Sequence, residues 1–241
     1  MRSHPPTLLT LARRAIEDHE LIPPRGRVLA AVSGGPDSMA LLHVLAILGK
    51  KMCFEVVAHG VDHGLRVSAK RELDLAARFA RALDVEFSRT KVRVEKGGNL
   101  QARAREARHA ALERARVSAK ADVIATAHHA DDRAETVMLR ILRGTGARGL
   151  GVLPSRAAHA PLVRPLLLAR RADIECHIQR HDVPFSVDPS NADPRFLRSR
   201  VRHELIPLMN ELNPGAVDHL CRLAAELLDP EADPEADSEE S

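Results

Sequence analysis

The chain has neither tryptophan nor tyrosine, and only five phenylalanines in 241 residues. Any surface that stacks on a flat base must therefore use Phe, His or the planes of arginine. Lysine is nearly as scarce: the 36 basic residues are 30 Arg and 6 Lys. That bias favours the bidentate fork that grips phosphate, although genome composition produces it too. Cysteine is limited to Cys53, Cys176 and Cys221, far apart and without a C-x-x-C pair. A disulfide framework, a zinc knuckle and a cysteine-held cluster are thereby disfavoured. The N-terminus has no apolar h-region, and no run approaches the ~20 apolar residues that cross a bilayer. These absences point to the cytoplasm and to no membrane partner.

Charged residues are 29% of the chain and hydrophobic ones 44%, the balance of a globular domain with a sizeable core. The net charge of +3 conceals an asymmetry. Residues 229–241 hold seven acids and no base, so residues 1–228 carry +10. A basic body suggests a polyanionic partner; the acidic tail is either a mimic of that partner or a solubilising end.

Short apolar runs alternate with longer amphipathic ones, the pattern of parallel βαβ units. Strands are expected at Arg27–Val32, Phe54–His59, Glu86–Val94 and Asp122–Ala127. Helices are expected through Leu41–Leu48, Leu73–Leu83, Leu100–Ala111 with Asn99 as N-cap, and Asp131–Arg143. The Gly-rich stretch Gly144–Gly151 and Pro154, Pro161 and Pro165 interrupt the pattern. Helices resume at about Arg170–His181 and Arg198–Glu211, and again from Asn213-Pro214 to about Leu228. The expected architecture is α/β: a doubly wound, mostly parallel sheet with helices on both faces. It divides into a catalytic domain over 1–212, a C-terminal helix over 213–228 and a disordered acidic tail over 229–241.

Strand one ends in Ser33-Gly34-Gly35-Pro36-Asp37-Ser38 and leads directly into a helix. Two glycines permit positive φ and close backbone approach to an anion. Free amides at a helix start, with the hydroxyls of Ser33 and Ser38, can cradle phosphate oxygens. The alternative is a tight turn with Asp37 as N-cap. The loop is neither a Walker motif, since it lacks G-K, nor G-x-G-x-x-G.

The string resembles the pyrophosphate loop of the N-type ATP pyrophosphatases, the PP-loop superfamily. Four further blocks narrow the likeness: VDHGLR (Val61–Arg66), NLQARAREARH (Asn99–His109), ATAHHADDRAETVMLRILRGTGARGLGVL (Ala125–Leu153) and DPSNADPRFLRSRVRHELIPLMNELNP (Asp188–Pro214). In order and spacing they are similar to the tRNA(Ile)-lysidine synthase family over roughly residues 25–215. Most family members continue into further C-terminal domains that help grip the tRNA, so this chain reads as a short form.

The resemblance implies that ATP adenylates carbon 2's oxygen on the wobble cytidine in the anticodon loop of tRNA(Ile), and that free L-lysine then displaces AMP. It implies an ATP site at Ser33–Ser38 with His63 and Arg66, and Mg²⁺ at Asp37 and Asp132. Asp132 and Glu135 share a helix face, where carboxylates hold Mg²⁺ or an ammonium, or merely offset the macrodipole with Asp131 as cap. Arg105 and Arg108, one turn apart, neutralise a departing phosphate or form a solvated face. His128 reads as a hydrogen-bonding group. Arg198, Arg200 and Arg202 suit a tRNA backbone or lysine's carboxylate. Phe196 stacks on a base or packs in a core. The oligomeric state stays open, a homodimer included.

The family usually has Gln where Arg133 stands, Asn at Ser199, an aromatic at His109 and His at Gly60. A one-residue shift turns a strand side chain to the other face, so no role passes to His59. Two other functions compete: a tRNA thiolation enzyme of the same superfamily, and a non-catalytic nucleotide-binding module.

Overall fold

The computed structural model describes residues 5–62, 68–92, 100–187 and 195–228. The chain forms two compact units: residues 1–128 with 155–188, and residues 129–154 with 189–241.

The first unit is built on a five-stranded parallel sheet in the order β3-β2-β1-β4-β5. The strands are β1 Arg27–Ala31, β2 Glu55–Asp62, β3 Glu86–Lys91, β4 Val123–Ala125 and β5 Leu162–Val163. The helices are α1 Leu8–Asp18, α2 Pro36–Met52, α3 Ser68–Ala82, α4 Leu100–Ser118 and α6 Arg171–His181. Side chains alternate across the sheet as the pleat requires. Val28, Ala30, Ala58, Val123, Ala125 and Val163 enter the core formed with α1, α2, α3 and α6. Leu29, Val57, Ile124 and Leu162 face the opposite way, with Leu112 of α4. Crossovers through α2 and α3 on one face and α4 on the other make the sheet doubly wound.

Several elements differ from the expectation. β2 runs on through Gly60-Val61-Asp62, β3 ends at Lys91, and β4 is shorter at both ends. α1 was not anticipated, although Leu8, Ala12, Ala15 and Ile16 form a buried stripe and the Thr7 hydroxyl accepts the Thr10 N–H at 3.3 Å. β5 escaped notice because two residues carry no periodicity. The N-cap expected at Asn99 lies outside the described residues.

The second unit is helical. It holds α5 Ala130–Leu142, a 3-10 turn at Ala147–Leu150, a run of α7 Leu197–Arg200, a π turn at Val201–Leu205 and α8 Ile206–Leu212, and α9 Ala216–Glu226. α9, the expected C-terminal helix, closes this unit. Val217 joins Ala134, Leu139, Val201 and Ile206 in one cluster, and Ala224 joins Val137 and Val152 in another. Gly151 lets the chain pass beneath the end of α9: a Cβ there would stand 2.6 Å from the Leu227 carbonyl oxygen.

α2 and α6 are joined by histidines. His43 Nδ1 lies 2.9 Å from His177 Nε2, and the His181 ring centroid lies 4.5 Å from that of His177. Burial first, then the charges of His181, His43 and Arg180, push the His177 pKa down to about 4. The unfolded chain takes this proton near 6.5 and the folded chain only near 4, so acid in that window favours unfolding. Stability should be full above pH 6.5 and fall toward pH 4, by roughly 3 kcal/mol at this site. Urea midpoints across that range test it. The His177→Leu variant should show a flatter profile than the wild type, and an unchanged slope would refute the assignment.

Candidate active site

The strand order reverses between the adjacent strands β1 and β4, and sheets of this kind bind ligands outside the carboxyl ends of the strands at such a switch point. In the first unit the segments that follow these two strands are Ser33–Ser38 and Thr126–His128. The sequence rules for loop, turn and helix start thus converge on one end of the sheet.

The first segment is tied to itself and to its surroundings. The Ser38 hydroxyl accepts the Ser33 N–H at 3.1 Å, lies 3.1 Å from the Ser33 hydroxyl and donates to the Gly35 carbonyl at 2.9 Å. Gly34 has φ +88°, and a Cβ there would stand 2.7 Å from the Glu72 carbonyl oxygen, so only glycine fits. Its own carbonyl accepts the Ser186 N–H at 2.9 Å. Gly35 is different: a Cβ there would meet only the Ser33 hydroxyl, at 3.6 Å. The backbone does not need glycine at 35, where a side chain would find open space, and the Gly35 N–H donates to the Ser33 hydroxyl at 3.4 Å. Gly35 is the N-cap of α2 and Pro36 occupies its first position. Asp37 lies within the first turn and is not the cap, which corrects that alternative. First-turn amides have no intrahelical acceptor, so the loop presents donors to an anion at a positive helix end.

In the second segment the His128 Nδ1 lies 2.9 Å from the Thr126 hydroxyl, whose own N–H donates to the Val163 carbonyl. Arg105 and Arg108 lie on α4 with their side chains exposed. His63 and Arg66 fall outside the described residues, as does the Asp188–Asn191 motif. Gly60, where the family usually has His, faces α3: a Cβ would stand 2.5 Å from Leu73 Cδ2 and 3.1 Å from Phe87 Cζ. The neighbouring His59 points to the other face, buried, with Nδ1 2.7 Å from the Ser88 hydroxyl, and burial pulls its pKa down.

The second unit brings four predicted residues together. Asp132 and Glu135 are one turn apart on α5, and Arg198 and Arg202 are one turn apart on the α7 run, so each pair shares a face. Arg198 donates to Glu135 Oε2 at 3.0 Å and to Asp132 Oδ1 at 3.2 Å. Arg202 donates to Glu135 at 2.5 and 2.9 Å and to Asp132 Oδ1 at 3.2 Å. The Glu135 side chain is 2% exposed and that of Arg198 47%, so the quartet has a buried floor and an open edge. The remaining Asp132 oxygen accepts the His129 N–H at 3.2 Å, which makes His129 the cap of α5 and leaves Asp131 inside the first turn. His129 is fully buried, its ring 3.4 Å from both aspartates.

Arg200, read with its two neighbours, turns away and pairs with Glu204 at 2.8 Å. Phe196 is 48% exposed, so it is not a core residue. The unusual Arg133 is buried and donates to the Leu153 carbonyl at 2.6 Å; burial pulls its pKa below the ordinary arginine value. No pattern in the sequence ties it to Leu153, twenty residues on.

A PP-loop domain family matches residues 10–209. Among curated relatives, the tRNA(Ile)-lysidine synthase of Aromatoleum aromaticum is 43% identical over 83% of this chain and 47% of its own length. That of Thermobifida fusca is 39% identical over 93% of this chain and 69% of its own. That of Thermotoga maritima is 36% identical over 82% and 49%. The chain spans about half the length of the first relatives it matches. Among solved structures, the U34-tRNA thiolase NcsA from Methanococcus maripaludis superposes with a TM-score of 0.75 at 19% identity, covering 90% of this chain and 78% of that one. That likeness concerns the fold.

Two predictions separate structure from ligand contact. Gly34→Ala should lower thermal stability by about 1–3 kcal/mol through strain at positive φ and the Glu72 contact. Gly35→Val should fold normally and lose affinity for pyrophosphate and ATP, read by calorimetry; wild-type affinity would remove the loop from the site. In the second unit, Glu135→Gln leaves two guanidiniums short of a buried carboxylate. It should cost about 1–3 kcal/mol, less than a fully buried pair because Arg198 reaches water. Thermal melts check this, and an unchanged melting temperature would show that the quartet contributes nothing to the fold.

Proposed function

We propose that this chain, which belongs to the tRNA(Ile)-lysidine synthase family of PP-loop proteins, uses ATP to join lysine to carbon 2 of the wobble cytidine of an isoleucine tRNA. The observation that carries the ATP-dependent part is Gly35: a glycine that the backbone does not require, at a helix start, with open space where a side chain would stand. Backbone approach to a phosphate is what such a position is for.

In the proposed reaction the cytidine O2 attacks the α-phosphorus of ATP. The bond to the bridging oxygen breaks, and pyrophosphate leaves with the electron pair. The lysine ε-amine then attacks carbon 2, the carbon–oxygen bond breaks, and AMP departs with the former O2. Ser33, Gly34, Gly35, Pro36, Asp37 and Ser38 hold the pyrophosphate, which leaves towards the positive end of α2. Arg105 and Arg108 offset the charge that grows on the leaving groups. His128 orients the base through its ring nitrogens.

Asp132, Glu135, Arg198 and Arg202 take the free lysine. An amino acid matches a quartet of two acids and two bases: an ammonium meets the carboxylates and the carboxylate a guanidinium. Arg198, on the open edge, is the member that exchanges partners. Mg²⁺ is a hard cation that suits the oxygens of Asp37 and the ATP phosphates, where it would spread the negative charge of the pyrophosphate. Asp132 does not suit it, since both its oxygens are already engaged. Among the described residues, no three His, Cys, Asp or Glu side chains converge to hold a metal.

Sulfur transfer fits less well. The cysteines stand on separate elements: Cys53 at the end of α2, Cys176 on α6 and Cys221 on α9. Among the described residues no helix is long and apolar enough to cross a membrane, and a tRNA substrate implies the cytoplasm.

Incubation of the purified chain with ATP, Mg²⁺, lysine and bulk tRNA, followed by nucleoside mass analysis, tests the proposal. The expected product is cytidine plus lysine less one water, with one AMP and one pyrophosphate for each. A mass gain that depends on a sulfur donor would favour thiolation. A folded protein that binds ATP and never turns it over would favour the non-catalytic module.

A further inference from the structure

The five phenylalanines are the only rings larger than histidine in this chain, and most of them serve the fold. Phe54 is buried in the core of the first unit, and Phe79 and Phe87 pack against it. Phe196 belongs to the second unit. Among the described residues, Phe185 is the one phenylalanine of the first unit that stands open to solvent, at 42% exposure.

Its backbone is held from both sides. α6 gives way at Asp182, whose φ of +49° and N–H to the Ile178 carbonyl turn the chain out of the helix. The Val183 N–H donates to the same carbonyl at 3.1 Å, and the Val183 side chain is buried in the core. Pro184 fixes its own φ and bars Val183 from the helical region, so the helix does not resume. Two residues on, the Ser186 N–H donates to the Gly34 carbonyl at 2.9 Å. Phe185 thus lies between an anchor in the core and an anchor on the loop Ser33–Ser38. Its Cα is two bonds from the Ser186 nitrogen, which puts it within about 5.5 Å of the Gly34 carbonyl oxygen.

Val183, Phe185 and Val187 rise from 3% to 42% to 71% exposed, so the segment climbs out of the core with its apolar side chains uncovered. Single exposed apolar residues are ordinary on a protein surface. Here two of them stand on a doubly anchored segment beside a phosphate loop. A flat apolar partner would cover them, and the ordered backbone leaves little entropy to lose on contact. Two flat faces come to this loop in the reaction proposed above, adenine and the acceptor cytosine. Small-molecule sites are clefts that enclose most of their ligand, whereas Phe185 and Val187 are open. An open ring suits a base that RNA splays out and delivers from solution. The chain has no Trp or Tyr to take that part.

We propose that Phe185 stacks on the acceptor base of the RNA, with Val187 extending the apolar face, and so positions that base beside the pyrophosphate loop. The ring supplies neither proton nor charge. Its contribution is to hold the cytidine O2 within reach of the α-phosphorus. The inference rests on the RNA-modifying function proposed above and deepens it by naming what holds the base.

Because the chain lacks Trp and Tyr, Phe185→Trp introduces its sole tryptophan, whose emission is quenched when a base stacks on it. The full chain with Phe185→Trp is titrated with ATP, with a synthetic anticodon stem-loop RNA, and with the same RNA abasic at the wobble position. Only the intact RNA should quench the emission. Phe185→Leu keeps apolar bulk without a ring. It should bind the intact RNA about tenfold more weakly than the wild type, with ATP affinity retained as the control for folding. Phe185→Tyr restores a ring and should recover the wild-type affinity. Quenching by ATP alone would give the ring to adenine and overturn the inference. Equal quenching by the abasic RNA, or by neither RNA, would overturn it too, as would wild-type RNA affinity in Phe185→Leu. A chain quenched as expected that makes no lysidine would overturn the function proposed above and leave the stack standing. Lysidine formed by Phe185→Leu with an unchanged KM for RNA would do the reverse.

Discussion

β1 is hydrogen-bonded on both sides, and the chain leaving it must reverse and begin α2 within five residues. That geometry is possible because Gly34 takes φ +88° and lets the Glu72 carbonyl occupy the space a side chain would need. Much of the first unit is referred to this turn. α3 supplies Glu72, the segment after α6 supplies the Ser186 N–H on the Gly34 carbonyl, and Ser38 ties the start of α2 back to Ser33. A small backbone error at Gly34 would therefore move three elements at once. The same turn aims the first-turn amides of α2 outward, so the constraint that organises the fold also prepares a site for an anion.

The two units arrange charge differently. Around α4 of the first unit, burial first and then the charges of Arg108, Arg105 and Arg164 hold the His109 pKa below its ordinary value. On α5 and the α7 run, two acids and two bases satisfy each other completely. A self-neutralised quartet resists a ligand of one sign alone, because that ligand strands one partner. It accepts one that brings both signs. On the proposed reading this is how the second unit prefers a free amino acid to a bare metal or phosphate ion.

The sequence makes β1, α2 and the intervening loop legible because local rules agree there: an apolar run, two glycines, Pro at the first helical position and a helical stripe. Gly34 and Gly35 read alike in sequence, yet one is required by the backbone and the other is not. That difference depends on Glu72, which no local rule connects to the loop. Asp132 and Glu135 are legible as a pair, and Arg198, Arg200 and Arg202 as one basic set. The union of Asp132 and Glu135 with Arg198 and Arg202 is not, since it spans 63 to 70 positions. Arg200 alternates with them in the sequence and faces elsewhere, because the segment is helical and the alternation belongs to a strand. β5 is illegible for a related reason: it is two residues long, and only its pairing with β4 defines it.

The departures from the family pattern also make physical sense as local adjustments. At Gly60, Leu73 and Phe87 fill the volume that a histidine would need, while His59 finds Ser88 on the other face. Arg133 reaches the Leu153 carbonyl, one acceptor for a cation that burial has made less basic. Ser199 is buried in α7. At His109, in place of an aromatic, burial comes first and the charges of Arg108, Arg105 and Arg164 follow in lowering the imidazole pKa. All of these act against the protonated ring, so the position keeps what an aromatic offers, a flat ring, and adds a hydrogen-bonding edge.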